Sequence, residues 1–182
     1  FYTTPLKALS NQKFRDFSIQ FGEKKVGLLT GDISINRDAH VLVMTTEIFR
    51  NMLYGEFEEI DDPLSNLESV ILDECHYMND PQRGTVWEET IIHCPSNTQI
   101  IALSATISNS FQLKNWINKV HGPTSLINSN IRPVPLDFIF CSAKGFHPLL
   151  NKKRNGIHPN CKVWRSPKGQ LKKSKFGRIT QP

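Results

Sequence analysis

The stretch Val70-Ile71-Leu72-Asp73-Glu74-Cys75-His76 passes without a break from an apolar run into an acid pair. A second run, Ile100-Ile101-Ala102-Leu103, ends in the same manner on Ser104-Ala105-Thr106, and Ser104 lies 31 residues beyond Asp73. Short continuous apolar runs of this kind, set between polar residues, read as strands buried on both faces of a parallel sheet. The spacing leaves room for one loop and one helix. In such a sheet ligands bind in the crevice beyond the carboxyl ends of the strands, so the acid pair and the hydroxyl pair are expected to face one site. An Asp-Glu pair placed there can hold a hydrated Mg²⁺ and polarise a water toward a nucleotide γ-phosphate. A lone Asp-Glu dipeptide is an ordinary solvated turn; its place directly after a buried strand is what points to chemistry.

Outward from these strands the chain keeps alternating. Phe1-Tyr2-Thr3 reads as the end of a buried strand, with Thr4 as N-cap and Pro5 at the first position of a helix that runs to about residue 20 and stops at Gly22. Val26 to Leu29 and Val41 to Met44 read as strands, the first closing on Thr30-Gly31-Asp32 and the second on Thr45-Thr46 and a helix through Tyr54. Gly84 to His93 reads as a helix, and Asn109 with Gln112 resembles a capping box opening another, which Gly122-Pro123 ends. Short strands are expected at 125–128 and 134–140. Strand, polar edge and helix in repetition predict a parallel α/β sheet wound by right-handed crossovers.

Composition narrows the functional classes. At 38% apolar residues over 182 positions the chain can build one real core, and no run approaches the roughly 18 apolar residues of a membrane span. The four cysteines form no Cys-x-x-Cys pair, so a reducing compartment is expected. The net charge of +5 is uneven: residues 138–182 hold eleven Lys and Arg and no acid, while the other eleven cations face all seventeen acids, a net −6 over residues 1–137. Such a tail suits a polyanion or a solvated linker. Cys75 beside His76 does not make a thiol protease, because neighbours on a strand point to opposite faces. His158 and Cys161 read as loose tail residues rather than half of a metal site, and Trp87, Trp116 and Trp164 as packing residues.

With these residues in place the sequence resembles the DExH-box helicases of superfamily 2. Asp73-Glu74-Cys75-His76 is similar to motif II and Ser104-Ala105-Thr106 to motif III. Pro5-Leu6-Lys7-Ala8-Leu9-Ser10-Asn11-Gln12-Lys13 is similar to motif Ia, Thr30-Gly31-Asp32 to the glycine motif that follows, and Thr45-Thr46-Glu47-Ile48-Phe49-Arg50-Asn51-Met52-Leu53 to motif Ib. Together with Arg83-Gly84-Thr85-Val86-Trp87-Glu88-Glu89 and Arg132-Pro133-Val134-Pro135-Leu136, these resemble the superkiller-like branch of exosome-associated RNA helicases, above all its cyanobacterial and plastid members.

The resemblance implies a RecA-like sheet of the P-loop NTPase type with helices on both faces, incomplete at both ends. It implies residues 1–140 as most of a first helicase domain and 141–182 as a basic, poorly ordered linker or the start of a next element. ATP and Mg²⁺ are the implied cofactors: Asp73 holds Mg²⁺ through water, Glu74 is the general base, His76 couples the site to its neighbours, and Ser104, Ala105 and Thr106 link hydrolysis to strand separation. Pro5, Leu6, Lys7, Ser10, Gln12, Thr30, Gly31, Asp32, Thr45, Thr46, Glu47 and Arg50 are the implied nucleic-acid contacts. RNA or another single-stranded nucleic acid, held by its backbone, and a second RecA-like domain are the expected partners, in a bacterial cytoplasm or plastid stroma.

One piece is absent. The only Gly-x-x-x-x-Gly spacing, Gly22 to Gly27, continues as Leu28-Leu29 where a phosphate loop needs Lys and Ser or Thr. The chain is therefore read as a fragment of an ATP-dependent RNA helicase. A DNA helicase of the same superfamily, and a non-enzymatic nucleic-acid-binding remnant, stay open beside it.

Overall fold

Apolar runs become strands, and those in the middle of the sheet find cover on both faces, whereas the run at 100–103, expected to be buried on both faces, forms a mostly exposed edge strand. In the computed structural model, which describes residues 1–56, 64–105, 109–129, 131, 134, 136–142 and 145–162, β1 (Tyr2–Thr4), β2 (Val26–Leu29), β3 (Ser34–Ile35), β4 (Val41–Thr45), β5 (Ser69–Leu72) and β6 (Gln99–Ala102) form one sheet in the order β3-β2-β4-β1-β5-β6. All neighbours run parallel except β3, which lies antiparallel on β2. Register is tight through the middle: Tyr2 sits between Val43 and Ile71, and Ile71 faces Ile101.

Alternation along the strands divides the core between two faces. Tyr2, Val26, Leu28 and Val43 point to one face and are covered by Phe14 and Phe17 of α1 (Lys7–Phe21). Leu29, Leu42, Met44, Val70 and Leu72 point to the other. There they meet Phe49 and Met52 of α2 (Thr46–Leu53), Val86, Trp87 and Ile91 of α3 (Gly84–His93), and Ile117 of α4 (Ser110–Val120). Burial of each large apolar side chain contributes about 2 kcal/mol, so this second face carries most of the stability. Short 3₁₀ turns at Glu23–Lys25 and Cys75–Asn79 lead into β2 and toward α3. The helices on both faces that the family resemblance implies are thus present.

Several local expectations change. α1 starts at Lys7 rather than at Pro5, with extended Leu6 as its cap residue, because the Thr4 hydroxyl is buried and bonded to the Leu6 carbonyl at 3.0 Å and to Ser10 Oγ at 2.7 Å. Asn109 does precede α4, yet the capping box does not close: no side-chain cap bond forms, and the Gln112 backbone N–H bonds the Asn109 carbonyl instead. Residues 125–128 form no strand. β3 has no periodic signal, being two exposed residues paired through backbone alone.

The chain divides into two compact units, Phe1–Asn128 and Ser129–Pro182. In the second unit β7 (Ile139–Ser142) and β8 (Gly145–Pro148) form an antiparallel hairpin with Ile139 opposite Pro148, followed by a Leu150–Ile157 bridge and the short helix α5 (Pro159–Lys162). A linker or the start of a next element was expected from residue 141; strands of four residues, the second bounded by Gly145 and Pro148, carry too little alternation to read as a hairpin. The acidic segment 57–63, Lys144 and the basic tail from residue 163 lie outside the described residues.

Candidate active site

β5 and β6 end level, Leu72 opposite Ala102. Three backbone bonds then tie the following residues to the sheet: Leu103 N–H to the Leu72 carbonyl at 2.9 Å, Cys75 N–H to the Leu103 carbonyl at 2.8 Å, and Asp73 N–H to the Thr3 carbonyl at 2.9 Å. The acid pair and the start of Ser104-Ala105-Thr106 are therefore stitched together; Ser104 and Ala105 are exposed there, and Thr106 lies outside the described residues.

Glu74 pays for this arrangement with its backbone, adopting φ 55° and ψ 42°, the left-handed region that a non-glycine residue enters at a cost of roughly 1–3 kcal/mol. The turn swings its carboxylate outward, 37% exposed. Nδ1 of His76 lies 3.1 Å from Glu74 Oε2, an ion-pair distance without hydrogen-bond alignment. Asp73 is held more firmly. Its Oδ1 accepts the Glu74 N–H at 2.9 Å and its Oδ2 accepts the Tyr2 hydroxyl at 2.6 Å. The buried phenol beside this carboxylate has its pKa pushed up, first by burial and then by the bond to Asp73.

Each Asp73 oxygen has a second lone pair, enough to accept from the water shell of a Mg²⁺ ion. Among the described residues no three His, Cys, Asp or Glu converge on a point. One carboxylate with retained waters and substrate phosphates is how Mg²⁺ is commonly bound, so the donors present fit that ion.

Cys75 is corrected on its reason. It begins a 3₁₀ turn rather than continuing a strand, and its fully buried thiol points at Met78 Sδ, 3.5 Å away, while His76 turns to Glu74. Burial pushes the Cys75 pKa up to about 11, the opposite of an activated nucleophile. Trp87 is a packing residue, fully buried and stacked on Tyr77.

Beyond the carboxyl ends of β1, β2 and β4, Pro5, Leu6, Lys7, Gly31, Thr45, Glu47, Ile48, Asn51 and Arg83 line an open groove of roughly 450 Å³. Lys7 Nζ bonds Asp32 Oδ1 at 2.8 Å, and the Thr30 hydroxyl bonds the same oxygen at 3.0 Å. Other expected contacts lie elsewhere. Ser10 and Thr46 are fully buried, Thr46 Oγ1 donating to the Thr4 carbonyl at 3.2 Å, so their hydroxyls hold the groove together from beneath. Gln12 is exposed on α1, outside the groove lining. The Arg50 guanidinium lies against Asn51 and 3.7 Å from Glu89 of α3.

A DEAD/DEAH box helicase family model matches residues 1–113. The chain belongs to that family. The DExH-box ATP-dependent RNA helicase DExH15 chloroplastic of Arabidopsis thaliana is 52% identical over 165 residues, 90% of this chain and 14% of that protein. The antiviral helicase SKI2 of Saccharomyces cerevisiae is 46% identical over 160 residues, covering 87% and 12%. This helicase domain thus spans about a seventh of the curated relatives it matches. A solved structure of Mycobacterium smegmatis helicase Lhr bound to ssDNA and AMP-PNP shares the fold with TM-score 0.53 at 24% identity, over 68% of this chain and 19% of that one. No described helix is long and apolar enough to cross a membrane.

Within the helicase domain one groove residue had no assigned role in the sequence reading. Arg83, at the start of α3, donates through its terminal nitrogen to the Pro5 carbonyl at 2.6 Å and to Glu47, through Nε to Glu47 Oε1 at 3.1 Å, and lies over the Trp87 ring. Gly84 makes the turn possible, since a Cβ there would stand 2.3 Å from the Met78 carbonyl oxygen. The Arg83-Gly84 pair was the available signal.

Proposed function

We propose that this chain is most of the first RecA-like domain of an ATP-dependent RNA helicase, which couples ATP hydrolysis to translocation on and unwinding of nucleic acid. The observation that carries the reading is the strained Glu74 turn, with its carboxylate outward, next to a doubly held Asp73 at the sheet edge that also borders the groove. Asp73 would hold Mg²⁺ through water, and that cation supplies neutralisation of phosphate charge. Glu74 would take the proton of the attacking water, with His76 restraining its carboxylate. Ser104, Ala105 and Thr106 would link hydrolysis to strand separation. The lining of the groove, exposed Lys7 and Gly31 above all with Thr45 buried beside them, would take the sugar–phosphate backbone without reading bases. A second RecA-like domain of the same parent would close over the site, in a bacterial cytoplasm or a plastid stroma.

The test is Glu74→Gln in the full-length protein, where the base is lost and the charge change is the sole large perturbation. RNA-stimulated phosphate release should fall by about 10²-fold or more while ATP binding persists. Turnover equal to wild type would remove Glu74 from the role of base. Stimulation by single-stranded DNA well above that by RNA would assign the protein to DNA instead, and equal stimulation would show that no 2′-hydroxyl is read.

A further inference from the structure

Tyr2 belongs to none of the motifs above, yet it is built into the site more firmly than most residues that do. It lies in β1, between β4 and β5, with only 6% of its surface exposed. Its ring meets Phe17 of α1 edge-on at 5.0 Å, and the Lys13 ammonium sits 5.4 Å from the ring centre. The ring is thereby clamped by α1, and its hydroxyl is delivered to Asp73 Oδ2 at 2.6 Å. Phenylalanine would fill the same space without a polar atom to satisfy, so the hydroxyl has a role that packing does not supply.

That role follows from the other oxygen. Oδ1 is held by the Glu74 N–H, and Asp73's own N–H is fixed to the Thr3 carbonyl. Backbone bonds set where the carboxylate starts, and one donor on each oxygen sets its rotation. From this we infer that Tyr2 is a positioning residue, whose phenol holds the Asp73 carboxylate in the orientation in which it receives the water shell of a divalent cation. The inference rests on the reading of Asp73 as the Mg²⁺ carboxylate. Donors behind a ligand orient it before the ion arrives, so the fold rather than the ion bears the ordering cost.

The experiment measures binding of a fluorescent ATP analogue to the full-length protein against Mg²⁺ concentration, for wild type, Tyr2→Phe and Asp73→Asn. Tyr2→Phe should raise the half-saturating Mg²⁺ about tenfold, while nucleotide affinity in EDTA stays within about twofold of wild type. An unchanged half-saturation in Tyr2→Phe, with Asp73→Asn shifted, overturns the role of Tyr2 and leaves that of Asp73. Asp73→Asn without a shift overturns the reading of Asp73, and the inference falls with it. An equal loss of affinity for Tyr2→Phe in EDTA and in Mg²⁺ overturns it too, since that marks general damage to the site.

Discussion

Lys7 is the cation best placed to meet a phosphate at the groove, and in the free chain it is already engaged. Its ammonium, and after it the Thr30 hydroxyl, hold the Asp32 carboxyl below the usual carboxylate range. Both side chains are more than half exposed, so the pair is weak and Lys7 is readily surrendered to a stronger anion. The sign of the pH dependence follows. Because the folded-state pKa of Asp32 is depressed, what the pair contributes is present above the carboxyl's unfolded value and fades as pH falls through the lowered one. Lys7→Ala should therefore move the Asp32 titration upward toward the ordinary range in an NMR pH series. An unmoved Asp32 would show that the pair does not persist in solution.

At the scale of elements, Arg83 joins three: the start of α3, Glu47 of α2, and the Pro5 carbonyl that precedes α1. Arg83→Ala strips a half-buried carboxylate and a backbone carbonyl of one shared donor and should cost about 1–2 kcal/mol in urea unfolding, with discount for partial exposure. Arg83→Lys should recover less than half of the loss, because a single ammonium does not serve both acceptors. A cost below about 0.5 kcal/mol for Arg83→Ala would reduce the clamp to an ordinary surface contact. Elements of this kind also mark where sequence reading stops. β2, β4 and β5, and the helices that follow β4 and β5, were legible because burial on both faces demands unbroken apolar runs, and Asp73-Glu74 was legible because it follows one; β6 was read by the same rule, although it is a mostly exposed edge strand. Thr46 and Ser10 were legible as hydroxyls but not as buried ones, since the sequence does not say which side of a turn faces the groove. Arg83 and Tyr2 act through partners 36 and 71 residues away, and no local pattern announces such a pairing.

At the scale of the whole first unit, the sheet is finished on one side and, among the described residues, bare on the other. β3 closes one edge with a short antiparallel strand, whereas β6 has no neighbour beyond β5's side among the described residues. Ile101 and Leu103, apolar residues at that end, are 38% and 42% exposed. Parallel strands are seldom left so open. Expressed by itself, the chain therefore presents a ready template for sticking, and it should self-associate edge to edge as its concentration rises. Ile101→Lys should keep it monodisperse in analytical ultracentrifugation, and a wild-type chain that stays monomeric at high concentration would refute the idea. The solubility of the isolated chain thus turns on Ile101 and Leu103 at this edge as well as on its charge.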